Sequence, residues 1–373
     1  MQDERLECPI ARKCGGCSEI GKPYGEQLQA KRERVRAALA AHPQLARLEV
    51  EPCIAAPRRA AYRNRAKLAV REVRGRVLIG LHRRGSSQIF DLAPCRVQRR
   101  VLQQAIEALR GWLGEHRLAR PQGPVFYLDL RESVDDGYHV TLVVDRPDEL
   151  PLDALERRLR APSGIAVNVG NPRSSYPMGT ETRVVRGPER FLAPLGESAF
   201  EVPPAGFFQV APAALAEVHE AMAAHLAGAS TLLDLYCGVG VHGIVVANRL
   251  GEGVALSGFE ESPALVEAAE RNAGRHGIEA ARFVAGRVEE RLGEMPSDAA
   301  VILNPGRAGC HPGLLEWIGK SSIAKLAYLS CNAETLARDL VVLARAGFEV
   351  EPLRPVDLMP QTEQVEVLAL LER

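Results

Sequence analysis

From residue 205 onward, strand-like apolar runs alternate with helix-like ones, and this alternation is what most limits the folds open to the chain. The segments TLLDLY, VALSGFE, ARFVAG, AAVILN, AKLAYLS, FEVEPLR and VEVLALL read as strands, with helical stretches between most of them. Repeated βα units need crossover connections, and these yield a parallel sheet covered by helices on both faces. The carboxy-terminal part is therefore expected to be a Rossmann-like α/β domain over residues 205–373.

Ahead of it the pattern differs. Residues 24–42, YGEQLQAKRERVRAALAAH, read as a helix with Leu28, Val35 and Leu39 on one stripe and a basic remainder, stopped by Pro43. Residues 60–92 switch to short alternating segments. A helix through Leu102, Ile106, Leu109 and Leu113 follows, then strands at 125–130 and 138–144. This mixture predicts a smaller α+β domain over residues 53–204, preceded by a Cys-rich segment with the basic helix at residues 1–52.

The first strand of the Rossmann-like part ends in D-L-Y-C-G-V-G, with Asp234, Tyr236, Gly238 and Gly240, and a helix begins at once. Glycines there permit a tight turn that lets backbone approach a ligand at the sheet's switch point. Glu260 closes the next strand 22 positions after Gly238, where an acidic side chain can take a ribose diol. The run Gly238-Val-Gly240-Val-His-Gly243 fits a dinucleotide as well as S-adenosylmethionine, so the turn alone does not choose.

Eight cysteines in a chain without secretory features point to metal ligation or catalysis rather than a disulfide framework. Cys8, Cys14 and Cys17 form a C-x5-C-x2-C cluster on a Gly-rich turn, and Cys95 in FDLAPCRV is the best fourth member. Four thiolates suit an iron–sulfur cluster or a structural zinc. The paired CxxC spacing of a zinc ribbon is missing, which favours the cluster. The net charge of +0 conceals an asymmetry, since residues 1–110 hold 23 Lys and Arg against 11 Asp and Glu. A basic half suits a nucleic-acid partner. No uninterrupted apolar span of about 18 residues is present, so a cytoplasmic protein with no membrane association is expected.

Cys331 stands where the strand AKLAYLS gives way to the helical run after S-C-N. A strand-to-helix junction presents a side chain at the sheet's carboxyl edge, where free N–H groups favour a thiolate. It is a place for a nucleophile.

The segments C-x5-CGGC, YRNR, IFDLAPC, GFFQV, DLYCGVG, GFEESP, NPGRAG, SCNAETLARD and PQTEQVE occur in that order along nearly the whole chain. In this collinear set the sequence resembles the RNA uracil-5-methyltransferase family, especially its ribosomal RNA members with an iron–sulfur cluster. The resemblance implies a class I methyltransferase domain using S-adenosylmethionine, with Cys331 as nucleophile and Glu366 as base. It implies cofactor contacts at Gln209, Tyr236, Gly238, Gly240, Glu260 and Asn304. Cys8, Cys14, Cys17 and Cys95 fall on the ligands of a cluster of the 4Fe-4S type. The expected partner is RNA, ribosomal RNA ahead of tRNA, acted on by a monomer with the middle domain facing the RNA and the helix at 24–42 packed on the carboxy-terminal domain.

Four positions depart from the family's usual text. Asn304 replaces the aspartate of D-P-x-R, Ala333 the proline after S-C-N, Gln364 the histidine before V-E, and Val241 a small polar residue. An amide at Asn304 could accept from uracil N3–H and donate to O4, so uridine recognition stays open without the charge. The alternatives are the same chemistry on another pyrimidine, and a paralogue that binds RNA and cofactor without turnover.

Overall fold

The computed structural model describes residues 4–83, 86, 88–92, 94–146, 150–160 and 162–373. The chain forms two compact units, one of residues 4–22 with 58–205 and one of residues 23–57 with 206–373. This differs from the three-part division expected above, for a reason visible in the packing. In the first unit the Cys-rich loop bridges Cys14 to Arg83, and Ile10, Cys14 and Cys95 pack on that unit's apolar core. The helix α1 (Tyr24–Ala40) instead places Val35, Ala38 and Leu39 in the core of the second unit.

The first unit holds a seven-stranded sheet built from β1 (Arg65–Val73), β2 (Arg76–His82), β3 (Ile89–Asp91), β4 (Val125–Glu132), β5 (Tyr138–Val144), β6 (Pro162–Val169) and β7 (Thr182–Arg186). The strand order is β3-β2-β1-β4-β5-β6-β7. Helices α2 (Arg100–Glu115) and α3 (Leu152–Arg158) bring Leu102, Leu109, Trp112 and Leu155 to the apolar core with Leu68, Leu128, Val140 and Ile165. Positions of the opposite parity carry Arg65, Asp129, Arg131, His139 and Thr141, as the two-residue period of a strand requires. A separate hairpin pairs β8 (Phe191–Leu195) with β9 (Ser198–Val202).

The second unit is the Rossmann-like one. Its elements run α4 (Ala216–His225), β10 (Thr231–Leu235), α5 (Val241–Leu250), β11 (Ala255–Glu260), α6 (Pro263–Arg275), β12 (Ala281–Ala285), β13 (Ala300–Leu303), α7 (Pro312–Lys320), β14 (Lys325–Ser330), α8 (Ala333–Arg345), β15 (Glu349–Val350), β16 (Arg354–Val356) and β17 (Glu366–Glu372). The sheet order is β12-β11-β10-β13-β14-β17-β15, with β16 also on β17. Strands β10 to β14 pair in parallel and β17 runs antiparallel to β14. The order reverses beside β10, so the β10–α5 turn lies at the switch point where such sheets bind ligands. The run read as one strand, FEVEPLR, is two. Pro352 lacks the N–H a ladder needs, and the chain resumes its pairing with β17 only at Arg354. Among the described residues no helix is long and apolar enough to cross a membrane.

Candidate active site

The β10–α5 turn is assembled from strained and glycine backbone. Tyr236 adopts φ 61°, a left-handed conformation that costs an L-residue about 1 kcal/mol or more, which marks the turn as a place where the fold tolerates strain. Gly240, at φ 84°, caps α5. Gly243 lies so close to Asp234 that a Cβ there would fall 2.7 Å from Oδ2, and this approach lets the Gly243 N–H donate to that oxygen at 2.8 Å. The other oxygen, Asp234 Oδ1, is buried with no hydrogen-bond partner among the described residues. Burial pushes the Asp234 carboxyl up to about 7, opposed by the Gly243 bond and assisted by nearby Glu260.

Glu260 ends β11 and ties the turn to the next helix. Its Oε2 accepts from the Gly238 N–H at 3.2 Å and its Oε1 from the Ser262 N–H at 2.9 Å. Each oxygen keeps a second lone pair, so the carboxylate can still accept from a diol. The Tyr236 hydroxyl accepts from the His311 N–H at 3.4 Å. Asn304 follows β13, where its backbone N–H donates to Leu235 and its Nδ2 donates to the Leu329 carbonyl at 3.0 Å. Tyr236, Gly238, Gly240, Glu260 and Asn304 thus gather at the carboxyl edge of neighbouring strands. Gln209 stands half-buried on the irregular stretch ahead of α4, outside that row.

At the end of the next strand along the edge, β14, lies the nucleophile candidate. Ser330 of β14 pairs with Val367 of β17, so the next residue along one strand and the preceding one along the other are Cys331 and Glu366. Asn332 then caps α8, its side chain accepting from the Glu334 and Thr335 N–H groups at 2.9 and 3.2 Å. The cap stops the strand and starts the helix at this point, which leaves the thiol at the junction. Cys331 is half-buried, and desolvation followed by the Glu366 charge raises its thiol above the ordinary range while Arg307 pulls it down. The Glu366 carboxyl is buried and pushed up to about 7 by desolvation, against the pull of Arg307.

Arg34 is the member of this site least visible in the sequence, whereas Arg307 stands in the NPGRAG motif on the loop after β13. An open pocket of about 160 Å³ is lined by Arg34, Arg307, Cys331, Asn332, Glu363 and Gln364, among others. Arg307 donates to Gln364 Oε1 at 3.1 Å, and its carbonyl accepts from Asn332 Nδ2 at 3.2 Å. Arg34 pairs with Glu363 at 3.1 Å. In sequence Arg34 is one of several cations on an amphipathic helix, and only the fold selects it. A thiol, a carboxyl and two guanidinium groups around an open pocket suit nucleophilic addition to an electron-poor ring attached to a polyanion.

In the other unit Cys8, Cys14, Cys17 and Cys95 line one small cavity with Ile10, Ile20 and neighbours, and none of the four is in a disulfide. Burial, then Cys95, Cys14 and Cys8, push the Cys17 thiol up to about 12, against Arg63. Among the described residues, however, no three His, Cys, Asp or Glu side chains converge as metal ligands. The donor type fits a thiophilic centre, since no histidine or carboxylate lines the cavity. Cys237 and Cys310 are buried, with burial holding both thiols up, and they take no place at the pocket.

Residues 227–303 match a family model described as a methyltransferase domain. The chain is 34% identical to an uncharacterized RNA methyltransferase of Gloeobacter violaceus, over 98% of this chain and 82% of that protein. It is 31% identical to an uncharacterized RNA methyltransferase of Listeria innocua, over 98% of this chain and 83% of the relative. Among solved structures it is similar to that of a Pyrococcus abyssi tRNA (uracil-54, C5)-methyltransferase in complex with S-adenosyl-L-homocysteine. The TM-score is 0.80 at 27% identity, covering 98% of this chain and 86% of the other.

Proposed function

Because the chain belongs to the RNA uracil-5-methyltransferase family, we propose that it methylates C5 of a uridine in RNA, with Cys331 as nucleophile and Glu366 as base. The observation that carries this reading is the β14–β17 register, which sets the thiol of Cys331 beside a buried carboxyl pushed up to about 7. C5 of uracil is too weak a nucleophile to attack a methyl sulfonium unaided. Addition of the Cys331 thiolate to C6 moves the ring's electron pair toward C5 as an enolate. S-adenosylmethionine, when bound, supplies the electrophilic methyl group. After transfer, Glu366 removes the C5 proton, and the returning electron pair reforms the C5–C6 double bond and expels the thiolate. Arg307 favours the charged forms of both groups, and with Arg34 it gives the pocket cations for phosphate. A base stacked in a helix hides both faces, so the target uridine is to be extruded before it reaches Cys331.

Glu260, Tyr236, Gly238, Gly240, Gln209 and Asn304 are proposed as the cofactor-side residues. Asn304 is also read as facing the base, accepting from N3–H and donating to O4. The four thiols of the other unit are proposed to hold an iron–sulfur cluster of the 4Fe-4S type that shapes their loop and takes no part in transfer. The proposed RNA is ribosomal, acted on in the cytoplasm by a monomer, on the resemblance carried by C-x5-CGGC. The named substrate of the Pyrococcus abyssi neighbour favours tRNA as the second reading.

The test is a trap. RNA containing 5-fluorouridine cannot lose a proton at C5, so wild-type protein with S-adenosylmethionine should form a stable protein–RNA adduct and Cys331→Ala none. Wild-type protein that forms no adduct with ribosomal RNA or tRNA, and that leaves both unmethylated, contradicts the proposal and favours a binding module.

A further inference from the structure

The loop of residues 304–311 joins β13 to α7 and carries Arg307. Four side chains from the start of α8 reach its backbone. Asn332 Nδ2 donates to the Arg307 carbonyl at 3.2 Å, and Thr335 Oγ1 lies 3.3 Å from the same oxygen. Arg338 Nη2 donates to the Ala308 carbonyl at 2.9 Å and stands 3.4 Å from that of Cys310. Asp339 Oδ2 accepts from the Cys310 N–H at 2.8 Å. The spacing of positions 332, 335, 338 and 339 puts all four on one face of the helix.

This latch is tight at two points. Asp339 is fully buried, and its Oδ2 also accepts from the Tyr328 hydroxyl at 2.8 Å, which ties the loop to β14 just ahead of Cys331. Its Oδ1 accepts from Arg338 Nε at 2.8 Å and lies 2.7 Å from Nη2, so the guanidinium is itself held while it grips the loop. Gly309, at φ 76°, permits the approach. A Cβ there would fall 2.6 Å from Arg338 Nη2 and 2.7 Å from Asp339 Oδ2, and an L side chain is strained at that φ.

What the latch fixes is Arg307. A long side chain on a loop with glycines at 306 and 309 has many positions open to it unless its backbone is held. Held, Arg307 donates to Gln364 and lines the pocket with Cys331. The charged groups facing Cys331 are Glu366 and Arg307, with Arg34, Glu334 and Glu363 also on the pocket wall. Arg338 and Asp339 do not line that pocket. We propose that they are positioning residues, which hold the loop by its backbone and thereby keep the Arg307 guanidinium at the Cys331 pocket. The reading of Cys331 as the nucleophile is what gives that guanidinium its purpose, and the proposal rests on it to that extent.

The test reads the thiol itself, in the full chain without RNA or cofactor. Iodoacetamide alkylates the thiolate, and mass spectrometry of the Cys331 peptide follows the rate against pH. Arg307→Ala should slow alkylation at pH 7 about tenfold by moving the midpoint of the profile to higher pH, as when an opposite charge is taken from a thiolate. Arg338→Ala, which deletes the grip, and Gly309→Ala, which keeps both side chains but pushes them aside, should do the same. Arg307→Ala combined with Arg338→Ala should be no slower than Arg307→Ala alone, whereas independent effects would multiply to about a hundredfold. A merely loosened fold would instead expose the thiol and speed alkylation at every pH. An unchanged midpoint in either latch variant that folds, a midpoint that Arg307→Ala itself does not move, or multiplied effects in the double variant overturns the proposal. Methyl transfer is judged separately by the 5-fluorouridine adduct, so a shifted midpoint without any adduct removes that reading and leaves the latch standing.

Discussion

Lys31 of α1 and Asp357, which follows β16, form an ion pair buried on both sides, with 2% and 0% of the residues exposed. Asp357 also accepts from the Tyr24 hydroxyl at 2.8 Å and from the Met359 N–H at 3.1 Å. Lys31 reaches the Met359 carbonyl at 3.1 Å as well. Removing one partner strands a buried charge. Lys31→Met should destabilise the second unit by about 3–5 kcal/mol. Lys31→Met with Asp357→Leu should recover much of that loss, since two apolar groups leave no charge behind. The midpoint of urea unfolding, at an unchanged slope, checks both.

Glu366→Gln should separate the two halves of the reaction. The amide cannot accept the C5 proton, so addition and methyl transfer proceed while release of the thiol does not. A protein–RNA adduct carrying the methyl group should accumulate with ordinary RNA. Turnover should fall about 10²–10⁴-fold, the range for loss of a general base. Denaturing gels and intact mass measure the adduct.

The pH dependence follows from the same carboxyl. Glu366 must be ionised to act as a base, and it is pushed up to about 7, so kcat/KM should rise with pH through that value. Arg307 opposes the shift at Glu366 and at Cys331, so Arg307→Ala should move the acid limb to higher pH. Stability runs the other way. The folded carboxyl keeps its proton up to about 7 and the unfolded one loses it near 4.5, so the folded state binds more protons between those values and stability falls as pH rises. Glu366→Gln removes that penalty and should stabilise the protein at pH 8 by on the order of 3 kcal/mol, with little effect at pH 4. Thermal unfolding at the two pH values provides the check.

For the four thiols, protein purified without oxygen should contain iron and acid-labile sulfide in equal amounts, and Cys17→Ser or Cys95→Ser should lose both. Because Cys17 is pushed up to about 12 in the metal-free form, loading the centre should release protons, measurable in weakly buffered solution. A colourless preparation with one zinc per chain contradicts the cluster.

The sequence is most legible where structure is local. The βα alternation specifies β10 to β14 because each strand is a short apolar run closed by glycine, proline or a cap. The motifs point to Cys331 and Glu366 as candidates, and what they do not supply is the register of β14 on β17 that sets the two side by side. The strands β6 to β9 were missed, since proline, glycine and polar residues break the alternation there and only pairing with neighbours restores it. Cys8, Cys14 and Cys17 sit beside α1 in sequence, so nothing local says that the loop and the helix belong to different units.

That separation of neighbours has a consequence during synthesis. Lys31 leaves the ribosome 326 residues ahead of Asp357, an interval of roughly tens of seconds at ordinary elongation rates. Throughout it, α1 carries the apolar stripe of Val35 and Leu39 without its complete core, while the unit of residues 4–22 and 58–205 has all of its chain once residue 205 is made. The emerging polypeptide therefore carries an unburied amphipathic segment near its start until the last strands appear. A chaperone that binds such segments should be found on ribosomes stalled before residue 357 and be released once β17 is made.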